Sequence, residues 1–121
     1  MINPSGNFCE IFCSDQEKVQ RVKSTITTVA GIFDIFKVLA DDTRLKIVYG
    51  LLQEELCVCD LANILDMTPP AVSHHLKILR MSRLVKHRRE GKMAFYSLDD
   101  EHIACLIENA LLHCQELLSR K

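Results

Sequence analysis

No apolar run in this 121-residue chain is long enough to cross a bilayer as a helix. The opening residues, MINPSGNFCEIFC, lack both the basic start and the long apolar stretch of a secretory signal. A soluble, cytoplasmic protein is the expectation. No C-x-x-C pair occurs among the six cysteines, so the usual dithiol redox motif is missing, and in such a compartment the thiols should stay reduced. Glycine-rich phosphate loops and recognisable nucleophile motifs are absent as well, which argues against an enzyme. There is no internal repeat and no low-complexity segment. What is present is 48% hydrophobic and 26% charged, enough for a core and unlike a disordered chain. The length suits one domain with a short extension, and a dimer would add buried surface to so small a fold.

The most informative stretch is Glu55–Arg80, ELCVCDLANILDMTPPAVSHHLKILR. Val58, Leu61, Ile64 and Leu65 fall at helical spacing before Asp66-Met67 interrupts them. Thr68 can cap a second helix whose first turn tolerates Pro69 and Pro70, because the missing N–H groups have no partner there anyway. Val72, Leu76 and Leu79 line one face of that helix, leaving Ser73, His74, Lys77 and Arg80 on others. This is a helix-turn-helix pattern with its second helix free to enter a DNA major groove.

Around it the chain reads as mainly helical. Residues 1–13 are expected to be an arm, and residues 14–121 a winged helix-turn-helix domain for DNA binding and dimerisation. Ser14 and Glu17 resemble a capping box. Val19, Val22, Ile26 and Val29 then suggest a first helix that Gly31 breaks or bends. Ile32, Phe33, Ile35, Phe36, Val38 and Leu39 are too crowded for a surface stripe and suggest a mostly buried second helix. Asp41 or Asp42 caps a third, with Leu45, Ile47, Val48, Leu51 and Leu52 inward. Leu84–Arg89 and Lys92–Leu98 read as two strands around Glu90-Gly91, a basic wing. A last helix begins near Asp99, its stripe made by Ile103, Leu106, Ile107, Ala110, Leu111, Leu117 and Leu118.

A net charge of −1 hides a strong asymmetry. Between Ala71 and Lys92 there are seven Lys/Arg and one Glu, against eight basic and fifteen acidic residues elsewhere. Basic charge is gathered where DNA would be read. Ser73, His74 and His75 are candidates for base or phosphate contact, with His75 close enough to Leu76 to be partly buried. Lys77, Arg80, Arg88 and Lys92 are candidate phosphate ligands.

The cysteines fall into two kinds. Cys105 and Cys114 sit among apolar helical positions and read as small buried hydrophobes. Cys9/Cys13 and Cys57/Cys59 are pairs, and thiolates select soft or borderline ions such as Cd(II), Pb(II), Zn(II) or Cu(I). On a regular helix Cys57 and Cys59 would diverge by about 200°, so they converge only if Cys57 lies at or before the helix start. The alternative is buried structural thiols. A second set, Asp100, His102, His113 and Glu116, offers nitrogen and oxygen donors suited to Zn(II). His102 and His113 lie about 16 Å apart along a helix, too far for one ion. An antiparallel copy of the same helix in a twofold dimer would bring the halves together. On the residues alone, a polar helix surface is the alternative.

These pieces together resemble the ArsR/SmtB family of winged-helix metal-sensing repressors, and within it the cadmium/lead-sensing branch. The resemblance rests on C-EIF-C at Cys9–Cys13, LADDTRLKIVYGLLQ at Leu39–Gln53, ELCVCDLANIL from Glu55, SHHLKILR from Ser73, the EGKMAFYSLDDEH wing and HCQE at His113–Glu116. It implies a homodimer that binds operator DNA when metal-free and releases it on binding Cd(II), Pb(II) or Zn(II), so that resistance or efflux genes are expressed. It implies a Cd(II) or Pb(II) site from Cys9, Cys13, Cys57 and Cys59, with the arm of one subunit reaching the other, and a Zn(II) site from Asp100, His102, His113 and Glu116. It implies neither a membrane partner nor a small-molecule substrate. The chain departs from the arsenite sensors in having Ala62 where they carry a third cysteine. An arsenite- or redox-responsive repressor of the same fold is the alternative function.

Overall fold

The computed structural model describes residues 14–120, so Cys9 and Cys13 lie outside the described residues. The chain divides into two compact units that meet between Phe33 and Asp34. In the first, α1 (Gln16–Lys23) is followed by a 3-10 turn, Ile26–Val29. Asp15, not Ser14, is the cap: its carboxylate accepts from the Lys18 N–H at 3.1 Å. A carboxylate satisfies the same orphan donor as a hydroxyl and also suits the positive end of the helix. The helix stops at Lys23, well before Gly31. The Ser24 and Thr25 hydroxyls donate back to the Arg21 and Val22 carbonyls at 2.9 and 3.0 Å, offering the backbone an alternative to continued helix. Gly31 sits inside α2 (Ala30–Leu39).

The crowded apolar run of α2 is less buried than its composition suggests. Leu39 is buried and Ile35 and Val38 pack half-buried on the core, but Ile32, Phe33 and Phe36 stay between 48% and 62% exposed. A helix turns one face to a core; one that is apolar all round has apolar surface left over.

In the second unit, α3 (Asp42–Gln53) starts at Asp41, whose carboxylate accepts from the Arg44 N–H at 3.0 Å. Its Ile47, Val48 and Leu51 are buried, whereas Leu45, expected inward, is exposed. A two-residue strand β1 (Leu56–Cys57) leads into α4 (Val58–Leu65) and then α5 (Pro69–Met81). The turn between these helices is held at both ends. Asp66 ends α4 in the left-handed conformation (φ 53°), one of the few non-glycine types that tolerates it, and the Thr68 hydroxyl accepts from the Ala71 N–H at 3.3 Å. α5 closes with Arg83 left-handed (φ 58°), the Arg83 N–H on the Arg80 carbonyl and the Leu84 N–H on the Leu79 carbonyl. That is a Schellman arrangement, built here without glycine.

β2 (Val85–Glu90) and β3 (Met93–Leu98) form the wing, and the sheet order is β1-β3-β2, antiparallel throughout. The strands are shifted by a residue from the expected pair. Glu90 itself pairs with Met93, and the two-residue turn is Gly91-Lys92, with φ of 63° at Gly91. α6 (Glu101–Ser119) begins at Asp100. The core joins α3, α4, α5, the Leu84-Val85 entry to the wing and the first half of α6, where Ile103 and Ile107 are buried. Ile47, Leu61, Leu76, Leu79 and Leu84 are almost wholly buried, each stabilising the fold by about 1.5–3 kcal/mol. Leu106 packs half-buried on that core, but farther along the stripe Leu111, Leu117 and Leu118 are exposed.

Candidate nucleic-acid interface and metal-ligand residues

α5 presents a divided surface. Val72, Leu76 and Leu79 seal it to the core, while Ser73, His74, Lys77 and Arg80 face solvent. Such a helix is fixed on one side and can read on the other. His75 is half-buried, and its Nδ1 lies 3.5 Å from Nη1 of Arg44. Arg44 is itself anchored, donating from Nε to the Val38 carbonyl at 2.7 Å. His75 therefore faces the start of α3, apart from the exposed row of its own helix.

The wing carries Lys86, Arg88, Arg89 and Lys92, all exposed. Arg88 is engaged. Its Nε and Nη2 donate to the two carboxylate oxygens of Glu55 at 2.9 and 2.7 Å, and its Nη1 to Glu90 at 2.6 Å. The guanidinium also lies 5.0 Å from the centre of the Phe95 ring. The Arg88 guanidinium pulls the Glu55 carboxyl below its ordinary range. Hydrogen bonds from Arg88 to Glu55, then to Glu90, push the guanidinium pKa upward, so it stays a cation. Sequence reasoning missed Glu55. It is separated from Arg88 by 33 positions, and the strand that brings it alongside is too short to leave a period-two pattern.

Cys57 is both the last residue of β1 and the N-cap of α4, with extended φ −94° and ψ 174°. It thus lies before the helix, as convergence with Cys59 requires. Its N–H donates to the Asp60 carboxylate at 3.1 Å. That bond, and after it one from the Cys57 side chain, holds the Asp60 carboxyl below its usual range. The Cys57 thiol is buried and the Cys59 thiol exposed, and both are free. As soft donors on one turn they fit a soft ion. Among the described residues, no three His, Cys, Asp or Glu side chains come together as a complete metal site.

On α6, Asp100 accepts from the Ile103 N–H at 3.1 Å and lies 3.6 Å from His102 Nδ1. The Ile103 N–H is the main cause of a lowered Asp100 carboxyl pKa, with His102 adding to it. His113 and Glu116 are exposed on the far half of the same helix. Within the single chain the two halves stay apart. Cys105 and Cys114, expected to be buried, are both exposed: Cys105 lies off the helix face that carries Ile103 and Ile107, and Cys114 lies beyond the turns that reach the core. Cys114 borders an apolar groove of about 910 Å³ formed by α3, α4 and α6 and lined by Leu45, Tyr49, Ile64, Ile107 and Leu111. Among the described residues, no helix is long and apolar enough to cross a membrane.

Comparison with known proteins places this architecture. Residues 41–87 match the family described as bacterial regulatory protein, arsR family. A cadmium resistance transcriptional regulatory protein CadC homolog from Staphylococcus aureus is 44% identical over 116 residues, covering 93% of this chain and 96% of that protein. A transcriptional repressor SmtB homolog from Synechocystis is 41% identical over 103 residues, covering 83% of this chain and 78% of the relative. Among solved structures, the homodimeric winged helix-turn-helix DNA-binding domain Mb0332 from Mycobacterium bovis superposes with a TM-score of 0.72 at 28% identity, covering 83% of this chain and 91% of that one. The chain belongs to the ArsR family of bacterial regulatory proteins, as a winged helix-turn-helix transcriptional regulator and not an enzyme.

Proposed function

We propose that this chain is a metal-responsive repressor, which holds operator DNA as a homodimer when metal-free and lets go on capturing Cd(II), Pb(II) or Zn(II), so that genes of metal resistance or efflux are expressed. The observation that carries the reading is the position of Cys57. It is the N-cap residue of the first helix of the reading unit, and its backbone pairs with Phe95 in the sheet that bears the wing, so one residue joins the helix-turn-helix to the wing. Cys57 and Cys59, with Cys9 and Cys13 supplied by the arm, form the soft-ion site. Asp100 and His102 of one subunit, with the partner subunit's His113 and the partner subunit's Glu116, form a second site suited to Zn(II). The cadmium-resistance name of the Staphylococcus relative supports the choice of ion. The exposed apolar residues of α6 and the groove beside them support the dimer.

In the DNA complex, α5 lies in the major groove, with Ser73 and His74 toward base edges or phosphates and His75, a candidate contact by sequence, turned toward Arg44 behind them. Lys77, Arg80 and Lys92 neutralise phosphates, and Arg88 joins them when it leaves its carboxylate partners, so binding falls steeply with salt. Induction requires the ion to favour the DNA-free form, and linkage makes that preference mutual. A coupling of about 3 kcal/mol weakens DNA binding roughly 150-fold. The test is a double variant, Cys57→Ser with Cys59→Ser, titrated on labelled upstream DNA. It should bind as the wild type does and ignore cadmium. Release by cadmium at the wild-type concentration would refute the assignment of the sensor.

A further inference from the structure

Three residues stand directly opposite one another across the sheet: Cys57 in β1, Phe95 in β3 and Arg88 in β2. Glu55, two residues before Cys57, lies along the same edge, and its carboxylate meets the Arg88 guanidinium fork-to-fork. We propose that Glu55 is an internal competitor for DNA: by occupying Arg88 it withholds a wing cation from phosphate and sets how tightly the protein grips DNA. The proposal rests on the reading of the wing as a DNA-contacting element.

The chemistry is that of substitution. A carboxylate and a phosphate both present two anionic oxygens to the planar guanidinium, and the paired hydrogen bonds that one makes exclude the other. Glu90 takes the remaining Nη1, so Arg88 faces two carboxylates and the cluster's net charge is negative. Lys86, Arg89 and Lys92, by contrast, make no ion pair among the described residues and are available to phosphate as they stand. The arginine is further held by its stacking on Phe95, which keeps it over the sheet. The Glu55 and Arg88 side chains remain 37% and 52% exposed, so solvent weakens their pair enough for exchange. The competitor sits on the segment that carries the thiols, not on the wing. A shift of that segment therefore alters the availability of a DNA contact on a different element.

The experiment is metal-free DNA binding by fluorescence anisotropy, using the duplex immediately upstream of the chain's own gene and a random-sequence duplex, over a range of salt. Glu55→Gln should tighten binding to both duplexes, by up to about 5-fold for each wing and so up to about 25-fold in a dimer. The slope of log affinity against log salt should steepen by about one for each arginine released. In an Arg88→Gln background the same substitution should change neither affinity nor slope, because there is no cation left to release. Glu55→Ala repeats the test without the hydrogen bond that glutamine can still offer. Unchanged affinity and slope in Glu55→Gln and Glu55→Ala would overturn the proposal. So would weaker binding, which makes Glu55 a support for the wing, and so would equal tightening with Arg88 removed, which reports only lost negative charge. A wild-type protein that bound neither duplex would sink the DNA-contacting wing and this inference with it.

Discussion

Asp41 joins three contacts that matter at the level of single residues. Its carboxylate caps α3 through the Arg44 N–H, lies 3.9 Å from the Arg44 guanidinium and faces His75 of the reading helix. The Arg44 N–H is the largest cause of a carboxyl pKa held below its ordinary 3.8, with the Arg44 and His75 charges adding to it. The folded chain thus binds this proton less readily than the unfolded chain. The stabilisation is fully present above the ordinary carboxylate range and is lost as pH falls through the folded value. Asparagine caps nearly as well but does not titrate. Denaturant midpoints measured from pH 7 downward should fall less for Asp41→Asn than for wild type once the pH drops below 3.8, with the two proteins converging in acid. Parallel curves would mean that Asp41 does not contribute to the acid response.

Single residues also mark where the sequence could be read and where it could not. Thr68 was legible as a cap, and Asp41 as one of two neighbouring candidates, because a cap acts on N–H groups two or three positions away, within one short window of sequence. The start of α4 was left open by the sequence, which required only that Cys57 lie at or before it for the two thiols to converge; Cys57 is its N-cap. Asp15 replacing Ser14 was not legible, since either side chain can reach the same donors. Glu55 on Arg88 was hidden because only the folded sheet makes them neighbours.

At the scale of elements, the turn between α4 and α5 decides how the reading helix leaves the core. Asp66 pays a steric penalty for its left-handed backbone, while Thr68 satisfies an orphan N–H at the start of α5. The two should therefore respond in opposite directions. Asp66→Gly removes the penalty, which for an L-residue is about 1–2 kcal/mol, and should raise the thermal midpoint. Thr68→Ala removes a cap and should lower stability by about 1 kcal/mol. Thermal unfolding followed by far-UV circular dichroism checks both, and a fall for Asp66→Gly would mean that the aspartate makes a compensating bond. The helix-turn-helix was readable because its apolar residues keep a helical period on each side of that break. The wing was readable from Gly91, with an error of one residue in where its strands meet the turn. β1 escaped, two residues being too few for alternation to show, and the interruption after Lys23 escaped because hydroxyl back-bonds leave no periodic signature.

For the whole molecule, the question is what the apolar residues outside the core are for. Hydrophobic spacing identifies a face without saying what covers it, and only part of the stripe of α6 is interior. Ile103 and Ile107 are, but Leu117 and Leu118 remain 45% and 68% exposed. The same ambiguity applies to Ile32, Phe33 and Phe36 of α2. If these surfaces close against a second copy, a charge placed there is buried on assembly yet leaves the folded subunit in water. Leu117→Glu with Leu118→Glu should accordingly keep the circular dichroism spectrum and the thermal midpoint of the subunit near wild type. The same double variant should weaken dimerisation by at least about 100-fold, since an unpaired charge in an apolar contact costs several kcal/mol. Sedimentation velocity reads the dimer directly. DNA binding should fall with it, because two linked reading helices engage successive half-sites far more tightly than one. A double variant that still sediments as a dimer would place the contact elsewhere, and one that is monomeric yet binds DNA unchanged would show that a single winged helix suffices.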